Sequence, residues 1–322
     1  MHPPGMAQNA LSLHRLNEKK SMEHKIKAVI VGYGHIGAAA EQALLSASDF
    51  ELLGVVRRRV SQEERHTRYG SPIVHSVAEL GTTPQVALLT LPSRLVPSTA
   101  PEWLRKGIAT VDSFDIHSDI PALRRSLAAE AKAHGTTAIL SAGWDPGSDS
   151  MIRTLLEAMM PKGLTYTNFG PGMSMGHSVA VKMIEGVRDA LSVTIPLGTG
   201  LHRRMVYVAL NEGASEEAVR EAILRDPYFV HDETHVSFVK DVDSLRDQGH
   251  AVHLIRKGVS GDTHNQLASF DMTINNPALT GQIMVAAARA ALRMPSGAYT
   301  LPEVAPINLL PGDREEWIER LC

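Results

Sequence analysis

The chain has 322 residues, 43% hydrophobic and 21% charged, enough for two cores of ordinary globular composition. Lys+Arg 32 against Asp+Glu 35 leaves a net charge of −3, which excludes the basic balance of a nucleic-acid binder; no apolar run is long enough to span a bilayer. The single cysteine, Cys322, excludes an intrachain disulfide and a cysteine-ligated metal, and fits a reducing, cytoplasmic setting.

Residues 1–21 are polar and lack the apolar stretch of a signal peptide, so they read as a tag or disordered extension, with Met22 as an alternative start. Lys25–Val31 is an apolar strand run that enters Gly32-Tyr-Gly-His-Ile-Gly37 and then the helix-forming stretch Ala38–Leu45. A second strand, Phe50–Val56, ends in Arg57, Arg58 and Arg59. Strands at 86–91, 109–112 and 137–141 alternate with helices at 96–106 and 118–134. This alternation predicts an α/β class with a Rossmann-type parallel sheet covered on both faces. The pattern changes beyond Pro146. A helix over 147–160 precedes alternating segments at 165–169, 202–210, 234–239, 250–256 and 266–274, interrupted by a helix at 215–225. They predict an α+β domain with an open, mixed, largely antiparallel sheet. The alanine-rich helix Pro277–Arg293 is expected to return to the first domain. The expected division is 22–146 plus 277–322 for the dinucleotide domain and 147–276 for the second.

Gly32, Gly34 and Gly37 stand where a dinucleotide fingerprint belongs, between a strand and a helix. The first glycine permits the tight turn, the second lets backbone approach a pyrophosphate, and the third lets helix and strand pack closely. An NAD enzyme places a carboxylate at the end of the second strand. Here arginines stand there, and Arg57 and Arg58 are the residues expected to grip a 2′-phosphate, which favours NADP. The loop Pro92-Ser93-Arg94 follows the next strand, where donors to phosphate or ribose belong; a plain turn accounts for it equally.

Two further loops carry acids beside aromatic residues. Val111-Asp-Ser-Phe-Asp-Ile-His117 presents Asp115 next to Phe114, and Ser141-Ala-Gly-Trp-Asp-Pro-Gly147 presents Asp145 next to Trp144. Paired carboxylates with aromatic walls suit a substrate ammonium, while spacing alone makes Asp145 an equally good helix cap. The glycine-rich loop Asn168–His177, entering a helix, suggests backbone close to a ligand, with Met173 and Met175 as ordinary core fillers. Arg204 suits a substrate carboxylate or an exposed surface. His250 lies at an element end, and Asn276, just before Pro277, reads as a helix cap. His231, Asp232, Glu233 and His235 fall on alternating strand directions, which argues against a shared metal. Nucleophile-elbow, zinc-helix and Walker motifs are lacking.

Through Val111–His117, Ser141–Gly147, Phe169–Ser178, Asn275–Thr280 and Gly297–Thr300, the chain resembles the meso-diaminopimelate D-dehydrogenases, in the shorter branch that carries a Pro-Ser/Thr-Arg loop. The resemblance covers nearly everything after Met22. It implies an NADP-linked oxidative deamination of the D-centre of meso-diaminopimelate, reversible by reductive amination, in a homodimeric or larger enzyme whose second domain binds substrate and dimerises. It places Asp115 and Asp145 at the D-centre beside Trp144, with Phe169 and Met175 as pocket walls. Thr194, Arg204, His250 and Asn276 would hold the distal L-centre. Cofactor contacts are expected from Gly32, Gly34, His35, Ile36, Gly37, Arg57, Arg58, Pro92, Ser93, Arg94, Ser113 and Phe114. His35 departs from the family, which usually has Asn there. The alternatives are a broad D-amino-acid dehydrogenase and a non-catalytic NADPH-sensing regulator.

Overall fold

Strand β1 (Ile26–Val31) opens a seven-stranded parallel sheet. The computed structural model describes residues 25–57, 64–246 and 249–322, so the expected extension 1–21 and the arginines 58 and 59 lie outside it. The described chain forms two compact units, one running through Ser150 and resuming at Thr280–Cys322, the other Met151–Leu279.

In the first unit β1 leads to α1 (His35–Ser46), β2 (Phe50–Val56), β3 (Ile73–Val74), β4 (Val86–Leu89), α2 (Val96–Leu104), β5 (Ala109–Asp112), α3 (Ile120–Ala133) and β6 (Thr137–Leu140). Next come α4 (Ser148–Met159) and β7 (Lys162–Phe169), which lead into the second unit. That unit continues with β8 (Gly172–Met173), α5 (Met175–Lys182), β9 (Val187–Gly198), β10 (Leu201–Leu210), α6 (Glu216–Arg225), β11 (Glu233–Phe238), β12 (Gly249–Ser260) and β13 (Thr263–Asn275). Helix α7 (Asn276–Ala291), β14 (Gly297–Thr300) and α8 (Arg314–Leu321) end the chain.

The parallel sheet has the order β14-β6-β5-β4-β1-β2-β3. Strands β4 and β6 are buried along their whole length, as expected when both faces are covered by helices. On one face Val29, Leu89 and Leu140 pack with Trp103 and Leu127 of α2 and α3. On the other, α7 returns as the sequence predicts. A Cβ on its Gly281 would lie 2.6 Å from the Ala40 backbone nitrogen, so glycine lets α7 press on α1. Arg289 of α7 forks onto Asp49 at 2.5 and 2.9 Å. These contacts tie the end of the chain to its beginning, and β14 then adds beside β6 in parallel register.

The second unit departs from the predicted open sheet by having two sheets. One is four-stranded, β11-β10-β9-β8, and the other is the antiparallel β13-β12-β7. The crossover through α6 makes β11 run parallel to β10, since a helical connection returns the chain in the same direction. The glycine-rich turn at 170–172 lies against strands of both sheets. A Cβ on Gly170 would sit 2.3 Å from the Thr194 carbonyl oxygen of β9, and one on Gly172 would sit 2.3 Å from that of Gly249 in β12. These glycines therefore serve close backbone packing within the protein.

Candidate active site

In the first unit, candidate groups gather at the C-terminal edge of the parallel strands, where open α/β sheets place ligands. Gly32 takes φ +90, and a Cβ there would lie 2.7 Å from Leu91 Cδ2. A Cβ on Gly37 would meet the Thr90 hydroxyl at 2.8 Å, so this glycine serves helix–strand packing. Gly34 faces open space and is the N-cap of α1 without a side-chain cap bond. An open backbone face at a helix N-terminus is the cradle a pyrophosphate requires, so the turn fits a dinucleotide. His35 and Ile36 begin the first helical turn. The neighbouring Tyr33 hydroxyl donates to the buried Glu41, as does that of Thr67. Burial first, then the Glu41 contact, pushes the Tyr33 phenol up to about 12.

Arg57 directly follows β2 and shares a 3.1 Å ion pair with Glu64, a carboxylate outside the residues expected from the sequence. Pro92 and Arg94 are exposed. Ser93 donates to Asp115 Oδ1 at 2.6 Å and accepts the Asp115 N–H at 3.2 Å. Ser93 thus orients an acid, beyond the cofactor role expected for it. Asp145 Oδ2 stands 3.8 Å from Nε2 of His117, on the same loop as Asp115. The first N–H groups of α4, from Ser148 and Asp149, go to the carbonyls of Gly143 and Trp144. Trp144 is buried, and Gly143 brings its loop against Ser113: a Cβ on Gly143 would lie 3.6 Å from that of Ser113. Phe114, expected as a wall and cofactor contact, is 1% exposed and belongs to the core with Leu89, Leu127 and Leu140. Its side chain lies in that core, while its backbone N–H is held by Asp112 Oδ1 at 3.0 Å.

In the second unit, strand register assembles a different cluster. Arg204 of β10 lies opposite Thr194 of β9 and donates to its fully buried hydroxyl. Its Nε donates to Asp232 Oδ2 at 2.6 Å, and its side chain is 12% exposed, so the surface alternative fails. Asp232 was legible only as part of a metal pattern; Glu233 meanwhile pairs with Arg203 and His235. Phe169 donates its N–H to His202 Nε2 at 2.8 Å, with ring centroids 5.5 Å apart. Neither His202 nor His177 is among the site residues expected from the sequence. His177 stands 2.7 Å from the Ser174 hydroxyl and edge-on to Tyr228 and Phe229. Burial, then the nearby positive charge of Arg204, lowers its pKa to about 3, so its imidazole is neutral. His250 is buried, and its Nδ1 accepts the Ala251 N–H. Met175 packs against the core cluster of Met173 and Leu191, as its core reading has it. The cap of α7 is Asn275, whose Oδ1 accepts the Ala278 N–H at 3.1 Å. Asn276 is already helical, which corrects its reading as the cap.

A phosphate-ready glycine turn with oriented carboxylates at the neighbouring strand ends defines a dinucleotide-linked oxidoreductase. The diaminopimelic acid dehydrogenase C-terminal domain family matches residues 143–276. A meso-diaminopimelate D-dehydrogenase of Bacteroides fragilis is 58% identical, over 92% of this chain and 99% of its own. Among solved structures, C. glutamicum DAP dehydrogenase in complex with DAP matches with a TM-score of 0.84 at 31% identity, over 93% of this chain and all of that one. An engineered D-amino acid dehydrogenase bound to NADP+ matches at 30% identity, also with a TM-score of 0.84, over 92% of this chain and all of its own. The chain belongs to the meso-diaminopimelate D-dehydrogenase family.

Proposed function

We propose that the chain oxidises the D-centre of meso-2,6-diaminopimelate. Substrate, NADP+ and water give L-2-amino-6-oxopimelate, ammonia, NADPH and a proton, and the reverse is reductive amination. The observation that carries this reading, beside the family, is the pair of carboxylates Asp115 and Asp145 anchored at successive strand ends.

When bound, NADP+ supplies the hydride acceptor. The protein's part is placement and proton handling. Asp115, held by Ser93, and Asp145, facing His117, grip the reacting ammonium and orient its Cα–H. Their carboxylate oxygens take the proton the amine gives up, then one from the water that adds to the imine. Trp144 walls this group. Thr194, Arg204, His250 and Asn276 hold the non-reacting L-end, Arg204 as the carboxylate fork, with Phe169 and Met175 lining it. Neutral His177 adds no competing positive charge beside Arg204. Gly32, Gly34, His35, Ile36 and Gly37 cradle the pyrophosphate, with Pro92, Arg94 and Ser113 near the ribose. Arg57, with Arg58, selects the 2′-phosphate of NADP.

The active form is a homodimer or larger, with 147–276 the substrate and dimerisation domain and 22–146 plus 277–322 the cofactor domain. Its compartment is the cytoplasm; among the described residues no helix is long and apolar enough to cross a membrane. A broad D-amino-acid dehydrogenase is disfavoured by the Thr194–Arg204–Asp232 cluster, which a small apolar side chain would leave unused. Spectrophotometric assay of NADPH formation with the meso, LL and DD isomers, D-norleucine and D-alanine tests this, with NAD+ in parallel. Turnover restricted to the meso isomer with NADP+ is the expected result. Equal turnover of D-norleucine overturns the substrate assignment.

A further inference from the structure

Asp112 ends β5, reaches no solvent, and has no part in the chemistry above. A single atom of its side chain joins two loops. Oδ1 accepts the N–H of Phe114 at 3.0 Å, within its own loop, and the N–H of Ser141 at 3.1 Å, at the start of the loop after β6. Its backbone carbonyl accepts the next N–H of that second loop, from Ala142, at 2.7 Å. Ser141 is held at φ +57, in the left-handed region that an L-residue adopts only at some expense, so the bond to Asp112 fixes an otherwise disfavoured backbone. Phe114 immediately precedes Asp115, and Ser141 opens the loop that carries Trp144 and Asp145.

We propose that Asp112 is a positioning residue that sets the separation of Asp115 and Asp145 by clipping both loops to one acceptor oxygen. The inference rests on the reading that these two acids hold the reacting amino group. A carboxylate suits the task because one oxygen accepts two amide N–H groups in charge-assisted bonds. Asparagine also offers an oxygen acceptor at this reach. Serine reaches Phe114 within its own turn but falls short of Ser141, and alanine reaches neither. The identity of residue 112 therefore tunes geometry at Asp115 and Asp145 without touching substrate. The second oxygen, Oδ2, is buried with no hydrogen-bond partner, and burial raises the carboxyl to about 6 against the pull of those two N–H groups.

The test uses the full-length enzyme with Asp112→Asn, Asp112→Ser and Asp112→Ala, read by kcat and KM for meso-diaminopimelate, NADPH affinity by fluorescence, and circular dichroism. Asp112→Asn is expected to keep at least about a third of kcat. Asp112→Ser and Asp112→Ala should lose about 30-fold or more in kcat, with NADPH affinity within about threefold and a native spectrum. In an Asp145→Asn background, Asp112→Ala should add less than about threefold, because residue 112 acts through the pairing of that acid with Asp115. If Asp112→Ala does not fold, Asp112→Ser is read by the same criteria. Wild-type kcat in the serine variant, fully multiplicative losses in the double variant, or parallel losses of kcat and NADPH affinity overturn the role. Asp115→Asn and Asp145→Asn, run alongside, separate the two readings. Undiminished rates in both would remove the site assignment itself, whereas their loss beside a fully active Asp112→Ser removes only the positioning role.

Discussion

Asp112→Asn also yields a stability measurement whose sign follows from burial. The carboxyl is enclosed, and desolvation lifts it from an ordinary 3.8 to about 6 against the opposing pull of two amide N–H groups. Two units correspond to about 3 kcal/mol of differential stability between its protonation states. Because the folded value is raised, the folded state keeps a proton that the unfolded chain has released over the window from about 4 to about 6. The contribution is therefore fully present below the unfolded value and lost as pH rises through the folded one. Asparagine cannot titrate. The unfolding free energy of wild type minus that of Asp112→Asn should then fall by about 2–3 kcal/mol between about pH 4 and about pH 7.5. Urea unfolding of both proteins across that range, followed by circular dichroism, measures the difference, and subtraction cancels the other titrating groups. A flat difference, or a wild type that gains on the variant with rising pH, would refute the view that burial outweighs the two amide bonds.

Arg204→Ala removes the donor to a buried threonine hydroxyl and the partner of Asp232; the KM for meso-diaminopimelate should rise about 30-fold or more, corresponding to about 2 kcal/mol or more, with kcat changing less than about threefold in steady-state kinetics. Gly147→Ala would place a Cβ 2.0 Å from the Gly143 carbonyl oxygen at φ +149, so thermal unfolding should show a loss of about 3 kcal/mol or more. His177, with its pKa lowered to about 3, should show no ring titration by NMR between about pH 5 and about pH 9; a titration near the ordinary histidine value would mean that its ring is hydrated.

Local features were the legible ones. The glycine turn, the strands feeding it and the acid-bearing loops are each contained in a few consecutive residues, so their spacing carries their meaning. Strand β9 escaped the sequence reading because Val187–Gly198 mixes charged, small and apolar residues without clean alternation and has a proline near its end. Helix α5 stands where the glycine-rich stretch 168–177 is expected to enter a helix, and begins inside that stretch at Met175. The polar cluster of the second unit was half legible. Arg204 stands out as a charge in a strand, but Asp232 meets it across 28 residues of sequence and His202 meets Phe169 across 33, through strand register that no local pattern encodes. Phe114 misled for the opposite reason: its position beside Asp115 suggested a wall, and the turn sends it into the core.

The turn at 170–172 bears on how this scaffold tolerates redesign. Its contacts with β9 and β12 are made by main chain, where the two glycines leave no room for a Cβ. Framework and recognition are thereby divided between two sets of atoms. The main-chain wedge keeps the strand backbones in place, while the proposed recognition groups Thr194, Arg204 and His250 are side chains tied to one another and to their neighbours by hydrogen bonds. Gly170 and Gly172 should therefore resist every replacement, whatever side chains the surrounding strands carry.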